Sequence, residues 1–445
     1  MAIQNTRRRF LKLGATAALL PFTGCASTST FSTQFITGRV RHACIGVGGM
    51  GASDMKAIGS HPEVDIVALC DVDAGHLATA AELYPKAKQF RDWRVMLREM
   101  GDGFDSVNVT TPDHMHAPIT QAVLALRKHV YCQKPLTRTV SEARAVQKAA
   151  RSAGVVTQMG IQNHSGGNYL SALKLFQEGH IGKVHEVHVW TDRPAGWWPQ
   201  GVGRQSGSDP IPENLDWDLW LGVAPERPYK KGQYHPFSWR GWQDFGTGAQ
   251  GDMACHLMDP ALWFLGLDTP TQVRSDGPPP NGETYPNWSA VHYEFPANKH
   301  TTRGPLLLTW HDGGRKAPRQ LLDDLGAGEV IANACLFVGT EGALLASPYD
   351  PPRLLPEEKF ADVEIPNLGG ENHWHRFVNS VRGEAQCNAG FDYAAHLTEV
   401  ALLGNIALAF PNESLEWDGR NMRFPNRPEA NALLTPNYRS AWELS

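Results

Sequence analysis

Short apolar runs alternate with helix-like stretches over the first third of the chain. Each run is nearly continuous, as strands are when both faces of a parallel sheet are covered. Between the runs, segments such as 141–153 mix charged residues with apolar ones at helical spacing. This pattern predicts a doubly wound α/β domain over residues 39–160. The predicted strands are His42–Val47, Val64–Asp71, Ser106–Thr110, His129–Cys132 and Val155–Met159.

The pattern changes after about residue 160, where strands become longer and apolar residues alternate with polar ones. Val291, Tyr293 and Phe295, for example, are separated by less apolar neighbours. Residues 161–445 are therefore predicted to form a second α/β domain with a large, open, mostly antiparallel sheet. A long apolar helix over 393–410 is expected to pack between the domains. The predicted strands are Lys183–Asp192, Ala290–Pro296, Leu306–Asp312 and Leu336–Leu345.

Residues 194–250 have little periodicity and are rich in Pro, Gly and Trp, which predicts long functional loops. Many of the chain's 14 tryptophans fall in or beside this stretch. Aromatic faces stack well on sugar rings, so Trp197, Trp198 and Trp239 are candidates for substrate binding, with core packing as the alternative. Asn163 and His164, just after the first domain, are further substrate candidates.

The first 25 residues have the features of an export signal. Consecutive arginines in 6–12 match the twin-arginine pattern, and the apolar run that follows is too short for a permanent membrane span. Cys25 follows a glycine, as at a lipoprotein processing site, and cleavage without a lipid is the alternative. Residues 26–38, rich in Ser and Thr, are interpreted as a flexible tether. We therefore expect a periplasmic protein, with a lipid anchor at Cys25 as an option.

Composition excludes some functions. The formal net charge of −5 and the lack of a dense basic stripe argue against nucleic-acid binding. The seven cysteines show no metal-binding spacing, and we expect the six after Cys25 to be buried free thiols.

A glycine-rich turn follows the first predicted strand and precedes a helix. Its sequence fits G-x-G-x-x-G, in which glycines allow a tight turn and close approach of the backbone to a pyrophosphate. Asp71 ends the second strand, where a carboxylate binds the adenosine ribose hydroxyls. Acidic Asp73 follows it and no basic residue is adjacent, which favours NAD over NADP. The cofactor candidates in the turn are Gly46, Gly48, Gly49, Met50 and Gly51.

Two further loops follow strands at the sheet edge where parallel sheets bind ligands. The first contains Thr110, Thr111, Pro112 and His116, all candidates for lining the cofactor. His114 and His116 could also be metal ligands, but no third ligand follows by spacing, and we expect no metal. The second is Gln133-Lys134-Pro135, where Lys134 could reach cofactor and substrate or simply lie on the surface.

Asp252 and His256 lie four residues apart, which places both on one face of a helix. A histidine beside a carboxylate is suited to proton transfer. A buried capping pair and a pair of metal ligands are the alternatives. Pro260 is expected to end or kink this helix.

Taken together, the glycine turn, the acid after strand two, Lys-Pro and Asp-x-x-x-His resemble the Gfo/Idh/MocA oxidoreductase family. The resemblance implies a Rossmann domain, a second α/β domain whose open sheet often forms oligomer contacts, and catalytic or substrate-binding roles for Lys134, Asp252 and His256. Gln133 departs from the pattern, because many members have Glu there.

The sequence therefore predicts an NAD-dependent oxidoreductase acting on a CH–OH group of a sugar. Export implies a tightly bound cofactor that is recycled internally, because free NAD is not expected in the periplasm. A redox-neutral NAD-dependent glycosidase and a non-catalytic sugar-binding protein are the alternatives.

Overall fold

The computed structural model describes residues 33–440 and residue 442. The predicted signal (1–25), including Cys25, and most of the predicted tether (26–38) lie outside the described residues. Within 33–38 there is no helix or strand, and the N–H of Ile36 donates to the carbonyl oxygen of Val381 at 3.0 Å. Among the described helices, none has both the length and the hydropathy that crossing a membrane requires.

The first domain contains a six-stranded parallel sheet with the strand order β3-β2-β1-β4-β5-β6. The prediction of a doubly wound parallel sheet is confirmed. Its core strands have buried side chains on both faces, which explains their continuous apolar sequence. The strands are β1 (Val40–Ile45), β2 (Val64–Cys70), β3 (Lys88–Phe90), β4 (Ser106–Val109), β5 (His129–Cys132) and β6 (Thr157–Met159).

Helices connect these strands and cover the sheet. The last of them begins with a capping box, in which the backbone N–H and the hydroxyl of Thr139 donate to Glu142 Oε2, each at 2.8 Å. It ends at Gly154, which has the left-handed conformation that favours glycine. The helices are α1 (Met50–Gly59), α2 (Ala74–Leu83), α3 (Trp93–Met100), α4 (His116–Ala125) and α5 (Val140–Ala153).

The second domain contains an eight-stranded sheet in the order β13-β12-β11-β7-β10-β9-β8-β14. Only the β7–β10 pair is parallel among the described pairs, so the predicted open, mostly antiparallel sheet is confirmed. The strands are β7 (Val184–Trp190), β8 (Gln272–Asp276), β9 (Ala290–Phe295), β10 (Leu306–His311), β11 (Ala334–Gly339), β12 (Ala343–Ala346), β13 (Arg353–Leu355) and β14 (Ser414–Glu416).

Seven further helices belong to the chain after residue 160. Helix α8 ends at Leu257, before Pro260, as expected, and Pro260 lies in the first turn of the next helix, which starts at Asp259. The division of the chain at residue 160 stays a prediction. The helices are α6 (Gly167–Gln177), α7 (Trp217–Leu221), α8 (Gly248–Leu257), α9 (Asp259–Leu265), α10 (Arg319–Asp324), α11 (His373–Val381) and α12 (Phe391–Leu408).

Two sequence-based expectations need correction. The single strand predicted over 336–345 is a hairpin, β11 and β12, because a turn at Gly342 separates two antiparallel strands. The stretch 194–250 is not only loops. It contains α7 and a separate core, here called the aromatic cluster, which consists of Leu215, Trp217, Trp220, Leu221, Ala224, Tyr229, Tyr234, Trp239, Trp242 and Phe245.

Helix α12 packs against elements of both parts of the chain. It contacts α5 of the first domain and α8 and β8 of the second. Arg144 of α5 binds Glu399 of α12 through two bonds of 2.6 and 2.7 Å. One hydrophobic core therefore continues through both domains.

The cysteines of the described part of the chain are all free, and five of the six are buried. The expectation of six buried thiols is thus confirmed for five of them, and Cys387 is only partly buried.

Gly404, in the middle of α12, tests how tightly this helix is packed. A Cβ at this position would lie 2.2 Å from Oη of Tyr293 and 2.6 Å from Nε2 of Gln250. Gly404→Ala should therefore lower the melting temperature by about 5 °C, although alanine normally favours a helix. Gly369→Ala is the control, because a Cβ there meets nothing within 4 Å. An unchanged melting temperature for Gly404→Ala would contradict this packing.

Candidate active site

A cavity of about 650 Å³ lies between the two domains. Its first-domain wall is formed by the carboxyl ends of β1, β2, β4 and β5, and the strand order reverses between β1 and β4. Such a reversal point is where open parallel sheets bind ligands. We call this cavity the crevice.

The glycine turn forms the floor of the crevice. Gly46 has φ +81°, and a Cβ on Gly51 would lie 2.1 Å from the carbonyl oxygen of Gly46. Thus Gly46 makes the tight turn, and Gly51 lets α1 pack closely on the strand. Gly48, Gly49 and Met50 line the crevice at the N-terminus of α1. This arrangement fits the pyrophosphate of a dinucleotide, because backbone N–H groups and the helix dipole favour an anion there.

Asp71 lies just beyond β2 and lines the crevice. Its Oδ2 accepts a hydrogen bond from the N–H of Val47 at 2.9 Å, and its Oδ1 accepts one from the N–H of Asp73 at 2.9 Å. These bonds fix the carboxylate beside the glycine turn, where it fits the adenosine ribose of NAD.

Lys134 and Asp252 form an ion pair across the crevice. The Lys134 Nζ donates to Asp252 Oδ1 at 2.8 Å and to the Asp252 carbonyl oxygen at 2.9 Å. Burial alone would raise the pKa of Asp252, but the charges of Lys134 and Arg240 outweigh it and lower that pKa to about 2. The carboxylate is therefore ionised at neutral pH and holds the lysine in place.

His256 lines the crevice one turn after Asp252 on α8. Burial, with a smaller effect from the Lys134 charge, lowers the pKa of His256 to about 3, so the imidazole is neutral and able to accept a proton. Its buried Nδ1 has no hydrogen-bond partner among the described residues. The predicted set of Lys134, Asp252 and His256 is thus brought together at the end of the crevice away from Asp71.

Asp113 is a lining residue that the sequence analysis did not select. It is buried, and the Thr247 hydroxyl donates to its Oδ2 at 2.7 Å. Burial is the main cause that raises the pKa of Asp113 to about 7. This carboxyl can therefore donate or accept a proton near neutral pH. The position of Asp113 in the loop after β4 could have made it a candidate, but nothing in the sequence indicated that it is buried.

The loop after β4 otherwise lies as predicted, with Thr110, Thr111, Pro112 and His116 lining the crevice. Both ring nitrogens of His116 lie 2.8 Å from carbonyl oxygens. The ring nitrogens of His114 likewise contact the carbonyl oxygens of Phe245 and Trp220, at 3.3 and 3.1 Å. These contacts support a structural role for the two histidines rather than metal binding.

The structure does not bring Asn163 and His164 to the crevice. His164 is buried, contacts Asp259 at 2.9 Å and stacks on Trp263 with 3.8 Å between ring centroids. Its proposed contact with substrate is therefore corrected to a packing role. The neighbouring Gln162 lines the crevice instead.

Tryptophans of the second domain divide between the crevice and the core. Trp197, Trp198 and Trp239 line the crevice, as predicted. The guanidinium of Arg193 lies 3.8 Å from the ring centroid of Trp197, and that of Arg240 lies 4.4 Å from the ring centroid of Trp239. The sequence analysis did not select either arginine, because their positions in the crevice depend on tertiary packing and not on a local pattern.

Gln133, which departs from the family pattern, is paired with Asp54 of α1. Its Nε2 donates to Asp54 Oδ2 at 3.0 Å, and Trp374 and Thr110 each donate to the same carboxyl at 2.8 Å. Burial raises the pKa of Asp54 to about 6 although these bonds oppose the shift. A buried carboxyl contributed by α1 therefore lies beside Gln133.

Gln133→Glu should destabilise the protein, because two carboxyls would have to share one proton. A carboxyl whose pKa is raised on folding binds protons more tightly in the folded than in the unfolded chain. Its contribution to the free energy of unfolding therefore falls as pH rises. We expect the melting temperature to fall by about 5 °C at pH 8 and by less at pH 5. Adding Asp54→Asn should restore it, and Gln177→Glu on an exposed helix position is the control. Equal losses at both pH values would contradict the pairing.

Family models match both parts of the chain. Residues 40–161 match the oxidoreductase family model for an NAD-binding Rossmann fold, and residues 169–300 match the model for its C-terminal α/β domain.

Characterised relatives are distant. Levoglucosan dehydrogenase of Pseudarthrobacter phenanthrenivorans is 26% identical over 42% of this chain, and inositol 2-dehydrogenase of Salmonella typhimurium is 26% identical over 32%. The chain matches only 40% and 43% of the length of these two relatives.

Solved structures share the fold over most of their length. WlbA dehydrogenase from Bordetella pertussis, solved with NADH and UDP-GlcNAcA, has a TM-score of 0.61 and 17% identity, covering 85% of this chain and 99% of its own. Aldose-aldose oxidoreductase from Caulobacter crescentus has a TM-score of 0.57 and 16% identity, covering 85% and 100%. This chain belongs to the Gfo/Idh/MocA family of NAD-binding oxidoreductases.

Proposed function

We propose that this protein is an NAD-dependent oxidoreductase that acts on a CH–OH group of a sugar or sugar derivative. The observation that carries the proposal is the ion pair of Lys134 and Asp252 beside His256, in the same crevice as the glycine turn. The levoglucosan and inositol dehydrogenases named above, which act on sugar-like or polyol compounds, support this substrate class.

The proposed reaction follows from the protonation states of the side chains that would surround the substrate's CH–OH group. Bound NAD supplies the hydride acceptor. His256, neutral before reaction, takes the hydroxyl proton, and the Lys134 ammonium donates a hydrogen bond that stabilises the oxygen as negative charge develops. Asp252 keeps Lys134 in position and lies one helical turn before His256, an arrangement that supports action of Lys134 and His256 on the same hydroxyl oxygen.

Aromatic residues of the crevice suit a sugar. Trp197, which is half exposed, offers an indole face for the C–H face of a pyranose, and the largely buried Trp198 and Trp239 line the crevice beside it. Arg193 and Arg240, stacked beside them, add hydrogen-bond donors for ring hydroxyls.

We also propose that the cofactor stays bound and is recycled inside the protein. This rests on the twin-arginine pattern in residues 6–12, which predicts export of the folded protein to the periplasm, with Cys25 as a site for a lipid. A second carbonyl substrate would then reoxidise the cofactor. Association of copies through the open sheet of the second domain is proposed from the family resemblance.

A redox-neutral glycosidase is the second candidate, and Asp113 favours it. In that reaction the sugar is oxidised, loses its aglycone by elimination, gains water and is reduced again. The sum is glycoside plus water giving sugar plus alcohol, so no net oxidant is consumed. Elimination and hydration need an additional acid or base, and a carboxyl with a pKa of about 7 in the crevice supplies one.

His256→Ala tests the proton-transfer role. Turnover of a responsive sugar should fall about 100-fold or more, because removal of a general base has effects of this size. The affinity for NAD should stay within about twofold, since the imidazole is assigned to the substrate hydroxyl. His180→Ala, at a half-exposed histidine paired with Glu178, is the control. Unchanged turnover in His256→Ala would reject the role.

The protein as purified, with no added NAD, separates the candidate functions. Native mass spectrometry should find about one NAD(H) per chain if the cofactor is retained. With aryl glycosides, steady aglycone release supports the glycosidase. Sugar oxidation that continues only with a second carbonyl compound supports the two-substrate oxidoreductase. Sugar binding with neither reaction would contradict both and leave a non-catalytic binding protein.

A further inference from the structure

A short segment of the second domain lies directly on the loop that follows β2. The N–H of Ala74 donates to the carbonyl oxygen of Asn214 at 2.8 Å, and the N–H of Asp216 donates to that of Val72 at 3.0 Å. Asp73 and Leu215 form an antiparallel bridge between these bonds. The two domains are thus joined by backbone pairing at this place.

Side chains reinforce the junction around Asp73. Its Oδ1 accepts a hydrogen bond from Asn214 Nδ2 at 2.7 Å, and its Oδ2 lies 2.9 Å from His235 Nε2. Arg91 Nη2 donates to the carbonyl oxygens of Val72 and Asn214 at 2.6 and 3.1 Å. We call the side chains of Asp73, Asn214 and His235 the Asp73 clasp.

The second-domain half of the clasp is held rigidly. Leu215 and Tyr234, the neighbours of Asn214 and His235, are both buried members of the aromatic cluster. Val72 of the first domain packs against the same cluster. Opening the clasp therefore requires moving a packed core away from the first domain.

The clasp closes the adenosine end of the crevice. Asp71, placed to bind the ribose, lies two residues before Asp73, and His76 Nδ1 lies 3.7 Å from Asp71 Oδ2. His76 and His235 both line the crevice. A dinucleotide whose ribose contacts Asp71 is consequently covered by second-domain residues.

We propose that the Asp73 clasp retains NAD in the crevice, so that the dinucleotide is a resident group released only when the two domains separate at this point. The proposal rests on the proposed function only in assuming that NAD occupies the crevice. It assigns retention to Asn214 and His235, two second-domain residues remote from Lys134 and His256.

Electrostatics favour a closed clasp. Burial opposes ionisation of Asp73, but hydrogen bonds from His235, Asn214 and the N–H of Gly75 outweigh burial and lower the pKa of Asp73. The carboxylate is therefore ionised at neutral pH, and hydrogen bonds to a charged group are stronger than those between neutral groups.

A metal ion is the other occupant that these side chains could take. Asp73, His76 and His235 place one ligand atom each within 4.8 Å of one another. We favour the clasp because both oxygens of the Asp73 carboxylate already have hydrogen-bond partners, which come from both domains. These residues also border the cofactor crevice. Metal binding is tested below as an outcome.

The test measures how fast the purified full chain loses NAD(H). The variants are Asn214→Ala, His235→Ala and the double variant, and bound NADH is followed by fluorescence after dilution into an enzyme that consumes free NADH. Each single variant should release NADH about tenfold faster and the double variant about a hundredfold faster, because each removes a hydrogen bond to a charged group.

Matched controls separate retention from general destabilisation. His292→Ala removes a contact of the same kind, since His292 Nε2 lies 2.9 Å from Asp276 Oδ2 on the sheet of the second domain. It should release NADH at the wild-type rate. If His235→Ala fails to fold, Asn214→Ala alone still decides the question.

Two results would overturn the proposal. One is a double variant that is folded and keeps NADH as long as the wild type. The other is loss of retention on chelation that Zn²⁺ restores, which would make the cluster a metal site. A failure of the proposed function looks different, because a protein that oxidises no sugar can still release NADH faster when the clasp is removed.

Discussion

The buried ion pair between Lys134 and Asp252 is the interaction on which the site depends. The lysine follows a strand of the Rossmann sheet and the aspartate lies on α8, so the pair can form only if the two domains meet in one orientation. Both charges are largely removed from water, and either one without its partner would be costly. Burial is the main cause that lowers the pKa of His256, and the lysine charge of this pair adds to it, so the imidazole is neutral. The geometry of this site therefore depends on the arrangement of the two domains.

Other elements hold the domains in that orientation. Helix α12 packs against both domains, and Arg144 binds Glu399 across the interface. The aromatic cluster presses on Val72 from the opposite side and supports the clasp at Asp73. A crevice bordered by contacts between the two domains suits a cofactor that remains in place while substrates exchange. The Trp-rich stretch therefore supports the contact between the domains and also lines the crevice.

The pairing of Gln133 with Asp54 accounts for an uncharged residue before Lys134 in this chain. A buried carboxylate with three donors lies beneath the Lys-Pro turn, but α1 contributes it instead of the residue before Lys134. Two acids at this place would repel each other, so glutamine at 133 is the consistent partner of aspartate at 54.

The sequence by itself determined the parallel sheet and the open second sheet, which follow from local periodicity, and the glycine turn with Asp71, which follows from glycines needed for a tight turn. The set of Lys134, Asp252 and His256 was indicated by the family resemblance. Only the tertiary structure decided that Asp113 is a buried acid, that His164 packs away from the crevice, and that Asp73 meets His235. Each of these depends on burial or on contacts between residues far apart in the chain, which local patterns do not encode.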